Sequence, residues 1–301
     1  MTGERAVYGF DSDLSAARSL ADALGLPCHE ILLHRFPDGE SLVRIAQKAR
    51  LPILYRCLDR PNDKLVELLL AADSLRGLGA EKPILVAPYL PYMRQDIAFH
   101  PGEAVSQRVI GALLDPLFAA IITVDPHLHR TPSLDRIFPT TRTLCLSAAP
   151  LLAEMIGQPG GPPPLLVGPD EESQGLVAAI ARLRGCDFLI LQKIRQGDFS
   201  VQVAAEEGKR VAGRAVILVD DVCSSGGTLS EAARWLAAQG AASVEALVVH
   251  ALQDEKAAAL LCEAGISRLR SVDTVPHDSN QARLAPLLAK ALQEVFACFP
   301  A

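Results

Sequence analysis

The sequence predicts an α/β protein built on parallel sheets, and three observations carry that prediction. Short apolar runs of strand length recur along the 301 residues. Helix-like segments lie between them. Most of the runs are rich in Val, Ile or Leu with little polar alternation, as strands covered on both faces require. A strand–helix–strand order of this kind implies right-handed crossovers. The runs fall at 84–90, 120–124, 165–168, 188–191, 215–219 and 244–249. Among the helical segments, 65–78 shows helical spacing and ends near Gly79. Segment 228–239 is Ala-rich and stops at Gly240, which suits the position just past a helix end. Segment 284–296 reads as a terminal amphipathic helix.

The stretch GQPGGPPP at 157–164 can be neither helix nor central strand. A domain boundary placed shortly before it gives expected domains of 1–145 and 146–301. Both halves share the order strand, polar loop, helix, which suggests two copies of one fold.

Composition bounds the function. The chain is 50% hydrophobic and 21% charged, a globular balance. A net charge of −6 argues against a sequence-independent grip on nucleic acid. No apolar run approaches the ~18 residues of a membrane helix. The opening MTGERAVYGFDSD has no long apolar stretch, so neither membrane nor secretory leader is expected. The seven cysteines are odd in number, widely spaced and without a C-x-x-C pair. They read as free thiols in a reducing cytoplasm.

Ligands of parallel α/β sheets bind beyond the carboxyl ends of the strands, so the residues following each apolar run matter most. The strongest signal is VILVDDVCSSGGTLSEAA. A buried strand runs into Asp220 and Asp221, then into the small-residue loop Ser224, Ser225, Gly226, Gly227 and Thr228, and then into a helix. Glycines let the backbone approach an anion closely, and the amides of the loop and helix start can point at it. The two carboxylates suit ribose hydroxyls or a metal. The bland alternative is a strand–turn–helix capped by Thr228 or Ser225.

TVDPHLHR sets Asp125 and His127 on one loop. A neutral imidazole is a good ligand for a divalent ion, and a carboxylate can hold its tautomer. His129 reads as structural or solvent-facing. QKIRQGD places Lys193 and Arg195 two apart, so in extended geometry both face one side. Two cations over a polyphosphate would neutralise charge developing during transfer. The following FSVQVAAEEGKRVAG reads as a β-hairpin or flap that could close over substrate. RFPDGE contains turn chemistry; its functional reading stacks Phe36 on a base while Asp38 and Glu40 contact base or sugar. In PYMRQD, Arg94 and Gln95 would contact phosphate or a base edge. There is no G-x-x-x-x-G-K-[ST], no G-x-G-x-x-G after a strand, no G-x-S-x-G and no H-E-x-x-H.

Taken together, VDDVCSSGGT resembles the phosphoribosyl-pyrophosphate motif of type I phosphoribosyltransferases. With FPDGE, PYLPYMRQD, TVDPHLH, VGPDEE and the K-x-R segment, in that order, the chain is similar to the ribose-phosphate pyrophosphokinase family from about residue 8 to 295. Its length and the PGEA, DPH and SSGGT variants look more like the shorter, archaeal-type members. The resemblance implies two phosphoribosyltransferase-like domains, each a mostly parallel sheet flanked by helices. It implies transfer of the diphosphoryl group of MgATP to O1 of ribose 5-phosphate, giving phosphoribosyl pyrophosphate and AMP. By position, Phe36, Asp38, Gly39, Glu40, Arg94, Gln95 and Asp96 would bind ATP. His127 and Asp170 would contact Mg2+, and Lys193 and Arg195 would stabilise the transition state. Asp220 and Asp221 would hold the ribose hydroxyls, and Ser224, Ser225, Gly226, Gly227 and Thr228 the 5-phosphate. A dimer-based homo-oligomer is implied, because the FPDGE loop of such proteins often serves a neighbouring subunit.

The chain departs from the common family pattern in three places. Ser224 replaces the third acid of D-D-x-x-D, and Ser225 replaces the Thr after it. Glu171 and Glu172 follow Asp170. Ile97 and Ala98 follow Arg-Gln-Asp where many members are basic. Two alternatives are a non-catalytic regulatory paralogue and a phosphoribosyltransferase. The retained Lys193, Arg195 and His127 speak against the first, and FPDGE and PYMRQD would have no task in the second.

Overall fold

A computed structural model describes residues 3–128, 130–156, 162–196, 200–204 and 211–299, with 193–196 and 200–204 described by backbone alone. The chain forms two compact units, 1–146 with 284–301 and 147–283.

The first unit starts with β1 (Gly3–Phe10), α1 (Leu14–Leu24), β2 (Cys28–Arg35), β3 (Ser41–Arg44), β4 (Ala49–Tyr55) and α2 (Pro61–Gly77). It continues through β5 (Ile84–Val86), α3 (Ser106–Leu114), β6 (Ala120–Val124) and β7 (Arg142–Leu146). The second unit holds α4 (Ala149–Met155), β8 (Leu165–Gly168), α5 (Gln174–Arg184) and β9 (Phe188–Ile190). It then runs through β10 (Gln192–Gln196), β11 (Ser200–Ala204), β12 (Ala215–Cys223), α6 (Gly227–Ala238), β13 (Ser243–Ala251), α7 (Glu255–Glu263), β14 (Ile266–Val272) and β15 (Asn280–Ala282). A last helix, α8 (Ala285–Phe296), returns to the first unit.

The first sheet has strand order β3-β2-β1-β4-β5-β6-β7, and the second β15-β14-β13-β12-β8-β9. All pairs in the two sheets are parallel except β2–β3. Both sheets share one connectivity. The first strand stands inside the sheet, its successor pairs on one side, and later strands extend the other side. The direction of travel therefore reverses between β1 and β4 in one unit and between β8 and β12 in the other. Such reversal points open a crevice at the carboxyl ends of the two strands.

The apolar runs become interior strands because both faces are covered. Every residue of β5, β6 and β8 is buried. Around the first sheet, Tyr8, Phe10, Leu54, Leu68, Leu85 and Phe118 form one core; around the second, Val167, Leu189, Leu218, Leu236, Val248 and Leu261 form another. The expected strand at 84–90 stops at Val86, because prolines 88 and 91 cannot donate to a ladder. The helix expected at 65–78 begins a turn earlier, with Pro61 at its first position.

Two expectations need correction. Helix α8 was expected in the second domain, but it packs against α1 and β6 of the first unit. Arg5 fixes it there, donating to the Phe299 carbonyl at 2.7 Å and lying 4.3 Å from the Phe296 ring centre. The flap expected from 199 onward instead has the K-x-R segment as its first arm. Lys193 pairs with Val203 and Arg195 with Val201 in the antiparallel β10–β11 ribbon. The side chains of Lys193 and Arg195, and residues 199 and 205–210 of the expected flap, lie outside the described residues. All seven cysteines are free thiols. Among the described residues no helix is long and apolar enough to cross a membrane.

Candidate functional site

In the second unit the polar residues gather at the carboxyl end of β12, beside the β8 end. Asp220 and Asp221 are half-buried, and the Asp221 amide donates to Asp220 Oδ1 at 3.0 Å. Burial pushes the Asp220 carboxyl well above its ordinary value, and the charges of Asp221 and Asp170 push it further. Three sequence-designated acids thus share one field. Asp170 follows β8 and accepts the amides of Glu172 at 3.2 Å and Ser173 at 3.3 Å on one oxygen, Oδ1. Ser173 in turn donates to the Asp170 carbonyl at 2.6 Å. Gly168 is required by this close turn, since a Cβ there would collide with Ser173 Oγ.

The loop after β12 then meets α6. Neither Thr228 nor Ser225 is the cap. Gly226 occupies that position at φ +75°, and no side chain caps the helix start. A left-handed residue here turns the chain sharply, and as glycine it offers no side chain to cap the helix start. Ser224, Gly227 and Thr228 are half-buried and Ser225 is exposed, so the cradle is open. Cys223 lies beneath it, buried, its thiol pushed up to about 12 by burial and by Asp220. That thiol stays protonated and is no nucleophile.

In the first unit, residues 36–40 close the β2–β3 hairpin. The Phe36 amide donates to the Glu40 carbonyl at 2.8 Å, and the Gly39 amide to the Phe36 carbonyl at 2.9 Å. The Glu40 amide donates to Asp38 Oδ1 at 3.1 Å. The turn reading and the site reading are therefore compatible: the turn presents Phe36 to solvent, edge-on to the His34 ring at 4.7 Å. The N-terminus of α2 joins this hairpin to the PYMRQD loop. Arg35 pairs with Asp63 at 3.0 Å, and the Tyr92 hydroxyl donates to Asn62. Arg94 is exposed, and Gln95 accepts from Ser106 at 3.3 Å.

Asp96 is already engaged. Its side chain is only 2% exposed, and it accepts the Arg130 guanidinium at 3.0 Å and the Arg130 amide at 3.1 Å. Burial pulls its carboxyl up, but the two Arg130 donors outweigh that and hold it below the ordinary range. Asp96 therefore ties the PYMRQD loop to the DPHLHR loop. His127 is half-buried on that second loop, after Asp125 at φ +34°, whose amide donates to the Leu146 carbonyl at 2.9 Å. His129 lies outside the described residues. Sequence reasoning missed Arg130, Arg35 and the α2 start; the signal was a buried strand, 49–55, running into CLDRPND.

Two sheets of one parallel topology, one of them ending in an acid pair and an open small-residue cradle, define a protein of the phosphoribosyltransferase class. Residues 142–284 match the family described as phosphoribosyl transferase domain. Residues 6–117 match the N-terminal domain of ribose phosphate pyrophosphokinase. The chain belongs to the ribose-phosphate pyrophosphokinase family. It is 37% identical over 290 residues to a ribose-phosphate pyrophosphokinase of Methanosarcina acetivorans, covering 96% of this chain and 99% of that one. Identity to the Methanopyrus kandleri protein of the same name is 33% over 291 residues, with 96% and 99% covered. The fold matches a crystal structure of phosphoribosylpyrophosphate synthetase from Mycobacterium smegmatis with TM-score 0.84 and 24% identity, covering 98% and 99% of the two chains.

Proposed function

We propose that the chain is a ribose-phosphate diphosphokinase, moving the diphosphoryl group of MgATP to O1 of ribose 5-phosphate with release of AMP. The observation that carries this is the 220–228 segment, in which an acid pair runs into an uncapped helix start behind the left-handed Gly226. The 5-phosphate sits on the amides and hydroxyls of Ser224 to Thr228, and Asp220 and Asp221 take the ribose hydroxyls. In the first unit Phe36 stacks on adenine, Asp38, Gly39 and Glu40 line the nucleotide, and Arg94 and Gln95 reach its phosphates. Asp96 acts through Arg130.

The reaction is attack of a sugar hydroxyl on phosphorus. It needs in-line placement and charge neutralisation rather than a covalent nucleophile. Lys193 and Arg195 supply that neutralisation from the β10–β11 ribbon. Asp170, Asp220 and Asp221 are hard oxygen donors whose mutual repulsion a divalent cation relieves, so they fit Mg2+. Among the described residues no group of three or more side chains is poised for a metal. Asp170 is the candidate ligand for such an ion in the second unit and His127 the candidate in the first, with substrate phosphates supplying further oxygens. When bound, Mg2+ offsets charge on the polyphosphate.

A dimer-based homo-oligomer is supported by the uncovered Leu32 and Leu42 on the β2–β3 hairpin, 45% and 47% exposed. The free thiols suit a reducing cytoplasm. Incubation with MgATP and ribose 5-phosphate, followed by nucleotide separation, tests the proposal. AMP that appears only with the sugar phosphate supports it, and ADP or no turnover refutes it.

Gly226→Ala is a sharper local test. A non-glycine residue in the left-handed region costs about 1–2 kcal/mol. Its Cβ would also stand 3.3 Å from Leu261. KM for ribose 5-phosphate is expected to rise about tenfold, while KM for MgATP stays near wild type, as steady-state kinetics with each substrate varied would reveal.

A further inference from the structure

The two reversal points are used differently. In the second unit the ends of β8 and β12 carry the acids and the small-residue cradle described above, with Ser225 exposed. In the first unit the equivalent crevice, between the β1 and β4 ends, is filled by the protein's own charges. The two loops are structural counterparts: each leads from the reversing strand into a helix whose cap is left-handed, Arg60 at φ +49° before α2 and Gly226 at φ +75° before α6. Asp13 follows β1, Arg56 follows β4, and Glu67 reaches in from α2. They are 2%, 2% and 0% exposed.

Their contacts form a chain. Arg56 donates to Asp13 at 2.7 Å and to Ser12 at 3.0 Å, and lies 4.0 Å from the Phe10 ring centre. Through its other terminal nitrogen it binds one oxygen of Glu67. The second Glu67 oxygen accepts Arg35 at 2.8 Å. Arg35 is the last residue of β2, directly before Phe36. Its head is 53% exposed, yet its inner partner is fully buried and beyond solvent screening.

Buried ion pairs seldom add stability over apolar packing, and their best-attested role is to fix a register. Glu67 has both oxygens committed, so its partners are set with little freedom. Residues 32–40, by contrast, are all exposed. A two-stranded hairpin with little cover is marginal by itself and needs an anchor to present a side chain reproducibly.

We infer that Glu67, backed by Arg56, is a positioning residue for the nucleotide: it grips Arg35 and thereby sets the 36–40 turn so that Phe36 meets the base. The inference rests on the nucleotide reading of that turn. The test uses the full-length chain with Arg35→Ala, Arg35→Lys and Glu67→Gln, and Phe36→Ala as reference. Arg35→Ala is expected to raise KM for MgATP about tenfold, with kcat and KM for ribose 5-phosphate within about twofold of wild type. Arg35→Lys, which keeps the charge and loses the fork, should recover only part of the loss. Glu67→Gln should raise the same KM, and the double variant should be no worse than the stronger single one, since both break one path. A wild-type KM for MgATP in Arg35→Ala, beside a raised one in Phe36→Ala, overturns the inference. Equal rises in both substrates' KM, or a fall in melting temperature that tracks the loss, overturn it too. An unchanged KM in Phe36→Ala strikes instead at the nucleotide reading of the turn.

Discussion

Lys193→Ala is expected to lower the turnover number for AMP formation by about 100- to 1,000-fold, roughly 2.7–4 kcal/mol of barrier, the loss seen when one preorganised donor to a developing charge is removed. KM for both substrates should stay within about twofold. As the bond to the departing AMP loosens, charge grows on the bridging and equatorial oxygens. A cation that meets those oxygens only at that stage lowers the barrier without tightening the ground state. Lys193 sits on β10, whose antiparallel partner β11 makes a two-stranded ribbon separate from the six-stranded sheet. A ribbon outside the sheet suits a group that arrives with the reaction rather than one that holds resting substrate. Single-turnover and steady-state rates separate the possibilities. Loss of binding with an unchanged turnover number removes Lys193 from the transition state and makes it an ordinary phosphate contact.

The parts of the fold that were legible are those in which local chemistry and tertiary role agree. Strand β12 is apolar up to its acid pair, ends two residues later at Cys223 and gives way to small residues. The buried strands β6 and β8 were equally plain. Strands β2 and β3 were not, because the hairpin is exposed and its polar and apolar residues follow no single face. Strand β4 was missed because Pro52 within it reads as a breaker. Here the residue pairs with Ala6 of β1 inside the sheet. The α8 exchange could not be read at all: Arg5 meets Phe299 across 294 residues, and no spacing rule reports such a pair.

The candidate site shows the same division. Spacing pointed to the candidate ligand-facing residues, since they cluster at strand ends. It did not expose those that hold them. Asp96 looked like a ligand group because it follows Arg94 and Gln95, yet Arg130, 34 residues away, occupies both its oxygens. The bland alternative for the 224–228 loop, a helix capped by Thr228 or Ser225, does not hold: Gly226 takes the cap position and no side chain caps the helix.

Asp220→Asn is expected to do two opposite things at once: to cut the rate of AMP formation about 100-fold and to raise the melting temperature of the ligand-free protein at pH 7. The first follows if the carboxylate accepts from ribose hydroxyls, since an amide with one acceptor and two donors mispairs with them. The second follows from the field around it. Asp220 is held well above its ordinary 3.8 by burial, and then by Asp221 and Asp170. A carboxyl raised in the folded state favours folding while protonated. That advantage is complete below the unfolded value and is lost as pH rises through the folded one. That advantage is given up as the pH rises above the unfolded value, whereas a neutral amide has no such pH-dependent loss. A gain of about 1 kcal/mol moves the melting temperature by about 2–4 °C in a protein of this size. Near pH 3.5 the difference should shrink toward zero, because the wild-type carboxyl is then protonated in the folded state. Thermal melts of both proteins across pH 3.5–7.5, beside the rate assay, decide the matter. A variant less stable than wild type at neutral pH, or a gain that persists unchanged in acid, removes like-charge crowding as the feature that prepares this site for its substrate and cation.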